Sequence, residues 1–410
     1  MTPSITLPAG LPQPDPDAFA HSDHVAAYLA ERINESDAGF LPFDQWMQLA
    51  LYAPGLGYYA AGSVKFGGGL PSGDFTTAPE LSPVFGQTLA RQVAQVLRAT
   101  KTNRVLEFGA GSGALAAAII PALRDLGIEP EYSILDVSAD LQARQRQRLA
   151  SLQANIAWRD TLPDAFSGCV IANEVLDAMP ASLFRWNDTG HLEEAGVRLA
   201  QQTHAETPAA RHLDAGSITS PPRFALAWRP APDWLQAAVS SRMPPLPGYQ
   251  SEINLQAEAW VMQMGTWLAR GAALLIDYGF PQREYYHPQR AEGTLMCHFR
   301  HHTHAQPLLY PGLQDITAHV DFTAMADAAL EGGLEVLGYT SQARFLMNAG
   351  LPDLLMRASP DAVNRAGTMA AVQKLTSEAE MGELFKVLAI GRNLDEPLVG
   401  FTRGDRRDRL

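Results

Sequence analysis

The chain has 410 residues, 46% of them hydrophobic and 18% charged, enough to bury a sizeable core in two or three structural units. Its formal net charge of -13 argues against a protein that tracks nucleic-acid phosphates with a basic face and mildly favours a basic partner. Cys169 and Cys297 lie far apart and form no CxxC pair, so neither a disulfide framework nor a zinc ribbon is supported; a reducing compartment fits, and the expected location is cytoplasmic.

The opening "MTPSITLPAGLPQPDPDAF" is Pro-rich, with no basic flank and no apolar run, so residues 1–20 are expected to form a flexible arm. No segment reaches the ~18 apolar residues of a membrane span. Residues 21–100 read as a helical region. Val25, Tyr28, Leu29 and Ile33 recur at helical spacing, and "DQWMQLALY" continues that period behind an expected cap at Asp44. A glycine-rich loop follows, after which Ser82 and Pro83 read as the cap and first turn of a helix with Phe85, Leu89, Val93 and Val96 on its apolar face.

Residues 101–185 alternate short apolar runs with helices: "RVLEF", "YSILD", "NIAW" and "GCVIAN". Strands at this interval imply a parallel sheet covered on both faces. Residues 186–265 interrupt it with a hairpin turning at Asn187 to Gly190, the strand "RFALAWRP" and a returning helix. Residues 266–410 complete the sheet with "GAALLIDYG", "GLEVLGY" and "LFKVLAIGR", with helices between 341 and 382. The mixed-charge tail "RGDRRDRL" is expected to be solvated.

The turn "EFGAGSGA" admits two ligands. Gly109, Gly111 and Ala114 satisfy the dinucleotide fingerprint, and Asp136 follows at the distance of a ribose-binding acid. Glu107, however, would oppose a pyrophosphate, whereas S-adenosylmethionine (SAM) carries a cationic sulfonium and ammonium and no phosphate. Gly113 also falls one residue early for the dinucleotide pattern. The expected SAM contacts are therefore Glu107, Gly109, Gly111 and Gly113, with Asp136 taking the ribose hydroxyls, Val137 beside it, and Asp160 accepting from the adenine amino group. A polar strand end is the alternative role of Asp136, and a turn start that of Asp160.

Several stretches together resemble the MidA-like family of class I SAM-dependent methyltransferases: "FDQWMQLALYAPGLGYYA", "SGDFTTAPELSPVFGQTLA", "VLEFGAGSGALA", "YSILDVSADLQARQ", "IANEVLDAMP" and "FRHHTHAQPLLYPGLQDITAHVDF". They span roughly residues 40 to 345. The resemblance implies an α/β fold: a Rossmann-like class I sheet with an antiparallel seventh strand, an N-terminal helical region, and inserted and C-terminal substrate-capping regions. It also implies methylation of protein arginine, giving symmetric ω-dimethylarginine, and for mitochondrial members a part in assembling respiratory complex I. The loop Gly73, Asp74, Phe75, Thr76 and Thr77 would close over SAM.

An arginine acceptor is cationic with delocalised lone pairs, so carboxylates are needed to orient it. Glu174 and Asp177, at i, i+3 beyond the fourth strand, are the expected catalytic acids, with Asn173 contacting substrate, cofactor or loop. Acids opening a helix are their alternative reading. Asp277 is a further strand-end candidate. His298, His301, His302 and His304 beside Cys297 read as a substrate-groove loop rather than a metal site, and Trp46, Tyr58 and Tyr59 as packing or lid contacts. The competing functions are an NAD-linked oxidoreductase and an assembly chaperone with a vestigial SAM site.

Overall fold

The computed structural model describes Pro8 and residues 10–61, 77–200, 224–357 and 362–410. Its contacts divide the chain into two units, each built from three separate segments.

The first unit comprises 1–70, 181–253 and 296–316. Its first helix, Pro16–Glu35, starts inside the arm expected to be loose, because Asp15 caps it by accepting the Ala18 N–H and Pro16 supplies a preset first-turn φ. Asp44 is not a cap: the helix Phe43–Tyr52 is preceded by Pro42, and Asp44 lies in its first turn. The expected hairpin is present as Ser182–Trp186 and Leu192–Leu199, with the Asn187 side chain accepting the N–H groups of Thr189 and His191 across the turn. Phe224–Pro230 and Gln250–Ile253 extend that sheet. Trp46 is fully buried edge-on to Phe224.

The second unit comprises 71–180, 254–295 and 317–410. Seven of its strands are β1 (Arg104–Phe108), β2 (Glu131–Leu135), β3 (Asn155–Arg159), β4 (Phe166–Asn173), β5 (Leu268–Phe280), β6 (Glu335–Ser341) and β7 (Phe385–Arg392). They lie in the order β3-β2-β1-β4-β5-β7-β6. Neighbours from β3 to β5 pair in parallel, and β7 runs antiparallel to both β5 and β6. The short strand Val320–Asp321 adds to the far end of β5.

Parallel strands bury both faces, which is why "VLEF" and "CVIAN" are apolar apart from Glu107 and Asn173. Helices Pro83–Thr100 and Ala114–Asp125 cover one face through Phe85, Leu89, Val93 and Ile119; helices Leu255–Trp267 and Phe322–Glu331 cover the other through Val261, Met264, Phe322 and Met325. Ser82 caps the first of these helices ahead of Pro83, as expected. The tail is exposed at Arg403, Arg407, Asp408 and Arg409, as expected, but is anchored between them: Arg406 pairs with Glu383, and Asp405 accepts the Tyr339 N–H of β6.

Two glycines test this packing. A Cβ on Gly265, in the helix Leu255–Trp267, would stand 1.8 Å from the carbonyl oxygen of Gly332. Backbone cannot yield as a side chain can, so Gly265→Ala is expected to cost about 2 to 3 kcal/mol. A Cβ on Gly367, in the helix Ala362–Thr376, meets nothing within 4 Å, so Gly367→Ala should stabilise by up to about 1 kcal/mol. Urea unfolding of both variants checks the sign of each; equal midpoints would refute the helix contact.

Candidate functional site

The strand order reverses between β1 and β4, and the crevice beyond the carboxyl ends of such a pair is where parallel α/β sheets bind ligands. The chain places the glycine turn and the acidic loop there. Gly109, Gly111 and Gly113 all adopt positive φ, at 58°, 54° and 81°, which only glycine does without strain. The turn therefore carries β1 directly into the helix Ala114–Asp125 with bare backbone on its outside. A Cβ on Gly109 would come within 3.0 Å of Val175 Cγ2, so the turn packs against the "NEVLDA" loop itself.

Glu107 lies in β1 two residues before the turn and is 2% exposed. Its Oε2 accepts the Tyr132 hydroxyl at 2.7 Å. Burial, opposed by that hydrogen bond and aided by the charge of Asp136, pushes its carboxyl from 4.5 up to about 7. A buried carboxyl met by a neutral donor suits a cationic ligand and opposes a pyrophosphate, so the residues fit SAM.

Asp136 follows β2 and is also buried. Its Oδ1 accepts the Ser138 N–H at 3.0 Å and its Oδ2 the Gln145 amide at 2.8 Å. Burial nevertheless raises its carboxyl above the usual range. Val137 is 74% exposed, an isolated apolar side chain at the rim of the sheet. Asp160 stands in solvent directly after β3. Of the expected lid, Gly73, Asp74, Phe75 and Thr76 lie outside the described residues. Thr77 precedes the short helix Ala78–Leu81, and Glu80 in that helix bonds both Ser112 of the glycine turn and Arg148.

The acidic loop does not open a helix, the alternative reading of its acids. After Asn173 it forms a turn, with Glu174 at a φ of 54° and its N–H bonded to the Ile276 carbonyl at 2.9 Å. Glu174 and Asp177 thus lie in an irregular turn just beyond β4. Asn173 donates to Glu174 Oε1 at 3.0 Å, while its own Oδ1 is buried with no hydrogen-bond partner among the described residues.

Asp177 is 2% exposed; its Oδ2 accepts the Tyr278 hydroxyl at 2.5 Å, and its Oδ1 has no hydrogen-bond partner among the described residues. Asp277 sits behind it, clamping the loop: Oδ2 accepts the N–H groups of Leu176 and Asp177 at 3.0 and 3.3 Å, and Oδ1 that of Tyr278 at 2.9 Å. Burial raises both acids, and for Asp277 the neighbouring Asp177 and Glu174 charges add to it. Asp277 is thus a scaffold acid rather than a rim acid.

The histidines belong to the first unit and are not helical. Met296–Phe299 and His302–His304 form an antiparallel pair that sets His298 opposite Thr303 and Cys297 opposite His304. Burial lowers the pKa of both His298, to about 4, and His304. Among the described residues no three His, Cys, Asp or Glu side chains are grouped to hold a metal. Tyr59 donates to both oxygens of Asp315, and Trp46 donates to the Pro307 carbonyl, which makes both structural within that unit.

The raised Glu107 carboxyl has a consequence for stability. The folded chain holds a proton there that the unfolded chain releases above about 4.5, so stability falls as pH rises from there through about 7. The loss is on the order of 3 kcal/mol. Glu107→Gln should remove that share of the slope in urea unfolding measured from pH 5 to 8, and an unchanged slope would place the proton elsewhere.

Comparison with known proteins agrees with this geometry. A family described as "Putative S-adenosyl-L-methionine-dependent methyltransferase" matches residues 88–340. A protein from Burkholderia thailandensis, crystallised with S-adenosyl-homocysteine, is 48% identical, with a TM-score of 0.88 over 98% of this chain and 100% of its own. The Drosophila melanogaster protein named protein arginine methyltransferase NDUFAF7 homolog, mitochondrial, is 28% identical over 95% of this chain and 92% of its own. Its Danio rerio counterpart is 27% identical over 89% and 86%. These relatives overturn the expected cytoplasmic location, since both are named as mitochondrial proteins. The expectation rested on unpaired thiols and acidic composition, which do not distinguish one reducing compartment from another. No described helix is long and apolar enough to cross a membrane. The chain belongs to the S-adenosyl-L-methionine-dependent methyltransferase family that matches residues 88–340, and its cofactor is S-adenosyl-L-methionine.

Proposed function

We propose that the protein methylates arginine side chains of a protein substrate, with Asp177 and Glu174 aligning the guanidinium. The observation that carries this reading is Asp177 itself: a buried carboxyl anchored through one oxygen by Tyr278, its other oxygen buried with no hydrogen-bond partner among the described residues, in a loop that packs on the glycine turn. The names of the fruit-fly and zebrafish relatives support arginine as acceptor, and the acidic chain suits a basic peptide. A respiratory-complex subunit and symmetric dimethylation are the finer identities that the family resemblance suggests.

When bound, SAM supplies an electrophilic methyl on a cationic sulfur, so the chain needs no covalent nucleophile of its own. Its residues must bring one guanidinium nitrogen into line and take up the proton that nitrogen loses on methylation. In this reading Asp177 Oδ1 accepts a guanidinium N–H, and the incoming positive charge offsets the burial that raises the acid's proton affinity. Glu174, held in its left-handed turn by the Ile276 carbonyl, is the second acceptor. Asn173 Oδ1, buried and without a hydrogen-bond partner among the described residues, is the proposed acceptor for a donor on the cofactor or the substrate. Glu107, Gly109, Gly111, Gly113, Asp136, Val137 and Asp160 are the proposed SAM contacts. A neutral small-molecule acceptor would not need two orienting acids.

Radiolabelled SAM supplied to an extract with purified protein, followed by amino-acid analysis, tests the reading. Wild type is expected to label ω-dimethylarginine, and Glu174→Ala and Asp177→Asn to lower the rate by about 10² to 10³. Label on a small molecule, or equal labelling by the variants, would refute it; SAM binding with no labelling at all would favour the chaperone. With a peptide acceptor, kcat/KM should rise with pH as the raised Asp177 carboxyl ionises, and Asp177→Asn should lose that limb.

A further inference from the structure

Gln145 is a fully buried polar side chain in the helix Ala139–Leu149, set between Arg144 and Arg146. Its amide is committed at both ends. Nε2 donates one hydrogen to the Gly111 carbonyl at 2.9 Å and the other to Asp136 Oδ2 at 2.8 Å; Oε1 accepts the Trp158 indole N–H at 3.0 Å. Two acceptors and one donor allow only this amide orientation, so the side chain cannot flip without losing all three bonds. The Gly113 backbone packs on it as well, since a Cβ there would lie 3.5 Å from both Gln145 Cα and Cγ. One side chain thus joins the glycine turn, the acid after β2 and strand β3.

We propose that Gln145 is a positioning residue for SAM, holding the Asp136 carboxylate at a fixed angle to the glycine turn so that the remaining lone pair of Asp136 receives a ribose hydroxyl. The bond to Gly111 sets the distance between turn and acid, and the bond to Oδ2 stops the carboxylate from rotating about its χ2. Without Gln145 the acid keeps only the Ser138 and Gly111 N–H groups, both on backbone, and can swing away from the ribose. Trp158, braced on Oε1 and covered by the Arg146 guanidinium at 4.7 Å, keeps the amide from turning.

The inference rests on Asp136 as the ribose acceptor, and calorimetry with S-adenosyl-homocysteine on the full chain separates the two. Gln145→Met, close in length and without polar atoms, is expected to weaken binding about tenfold. A structural defect would weaken every ligand alike, so the 2′-deoxyadenosyl analogue is titrated in parallel. In wild type the missing hydroxyl should cost several-fold; in Gln145→Met that penalty should shrink towards none, because the ribose bond is already lost. Should Gln145→Met fail to fold, Gln145→Glu keeps the length and the Trp158 acceptor while reversing both donors, and is read in the same two titrations. A Kd within twofold of wild type, or an undiminished deoxy penalty, would overturn the proposal. If Asp136→Ala also leaves the Kd unchanged, the ribose assignment falls with it; if Asp136→Ala weakens binding and the Gln145 variants do not, only the role of Gln145 falls.

Discussion

The second unit is organised by buried carboxyl groups at the open ends of adjacent strands. Glu107 in β1, Asp177 beyond β4 and Asp277 in β5 are each no more than 2% exposed. Removing a carboxylate from water costs several kcal/mol unless charge or hydrogen bonds return it. Here the donors are the hydroxyls of Tyr132 and Tyr278 and backbone N–H groups, all neutral. The three acids therefore sit with raised proton affinity in a region that a cationic ligand would relieve. Both reactants of the proposed reaction, a sulfonium donor and a guanidinium acceptor, are cations.

The three acids are not equivalent, and the hydrogen bonds show why. Asp277 has both oxygens occupied by backbone N–H groups of its own surroundings, so its work is to shape the acidic loop. Asp177 has one oxygen held by Tyr278 and the other buried without a hydrogen-bond partner among the described residues. Glu107 has one held by Tyr132, a residue that pairs with β1 from β2 and so stays in register with it. The hydrogen bonds around each carboxyl thus separate the acid that shapes the loop from the two held through a single tyrosine hydroxyl.

Much of this fold was legible in the sequence because a parallel sheet leaves a strong pattern. Continuous apolar runs separated by amphipathic helices, one glycine turn and the cap Ser82 place β1 to β4 and their helices. What misled was local polarity without knowledge of distant partners. Asp15 and Pro16 begin a helix in a stretch that composition marked as loose, and the charged tail docks because Glu383 and the Tyr339 backbone happen to face it. Neither partner can be inferred from the neighbouring residues.

The candidate site was legible in its acids and opaque in their supports. Glu107, Asp136, Glu174 and Asp177 stand at strand ends, and strand ends can be read from periodicity. Tyr132 and Tyr278 occupy strand positions where an aromatic is expected for packing alone, and Gln145 is one of three glutamines in "LQARQRQRL", identical in type to two that are not fully buried. Their roles come from register: Tyr132 follows from the β1 and β2 pairing, Tyr278 from its place one residue after the clamp Asp277, and Gln145 from the helix phase that turns it under Gly111. A side chain that acts by fixing another leaves no signature of its own in a single sequence. It becomes visible only when the group it fixes has been located in space, so here the scaffold of the site had to be found through its acids.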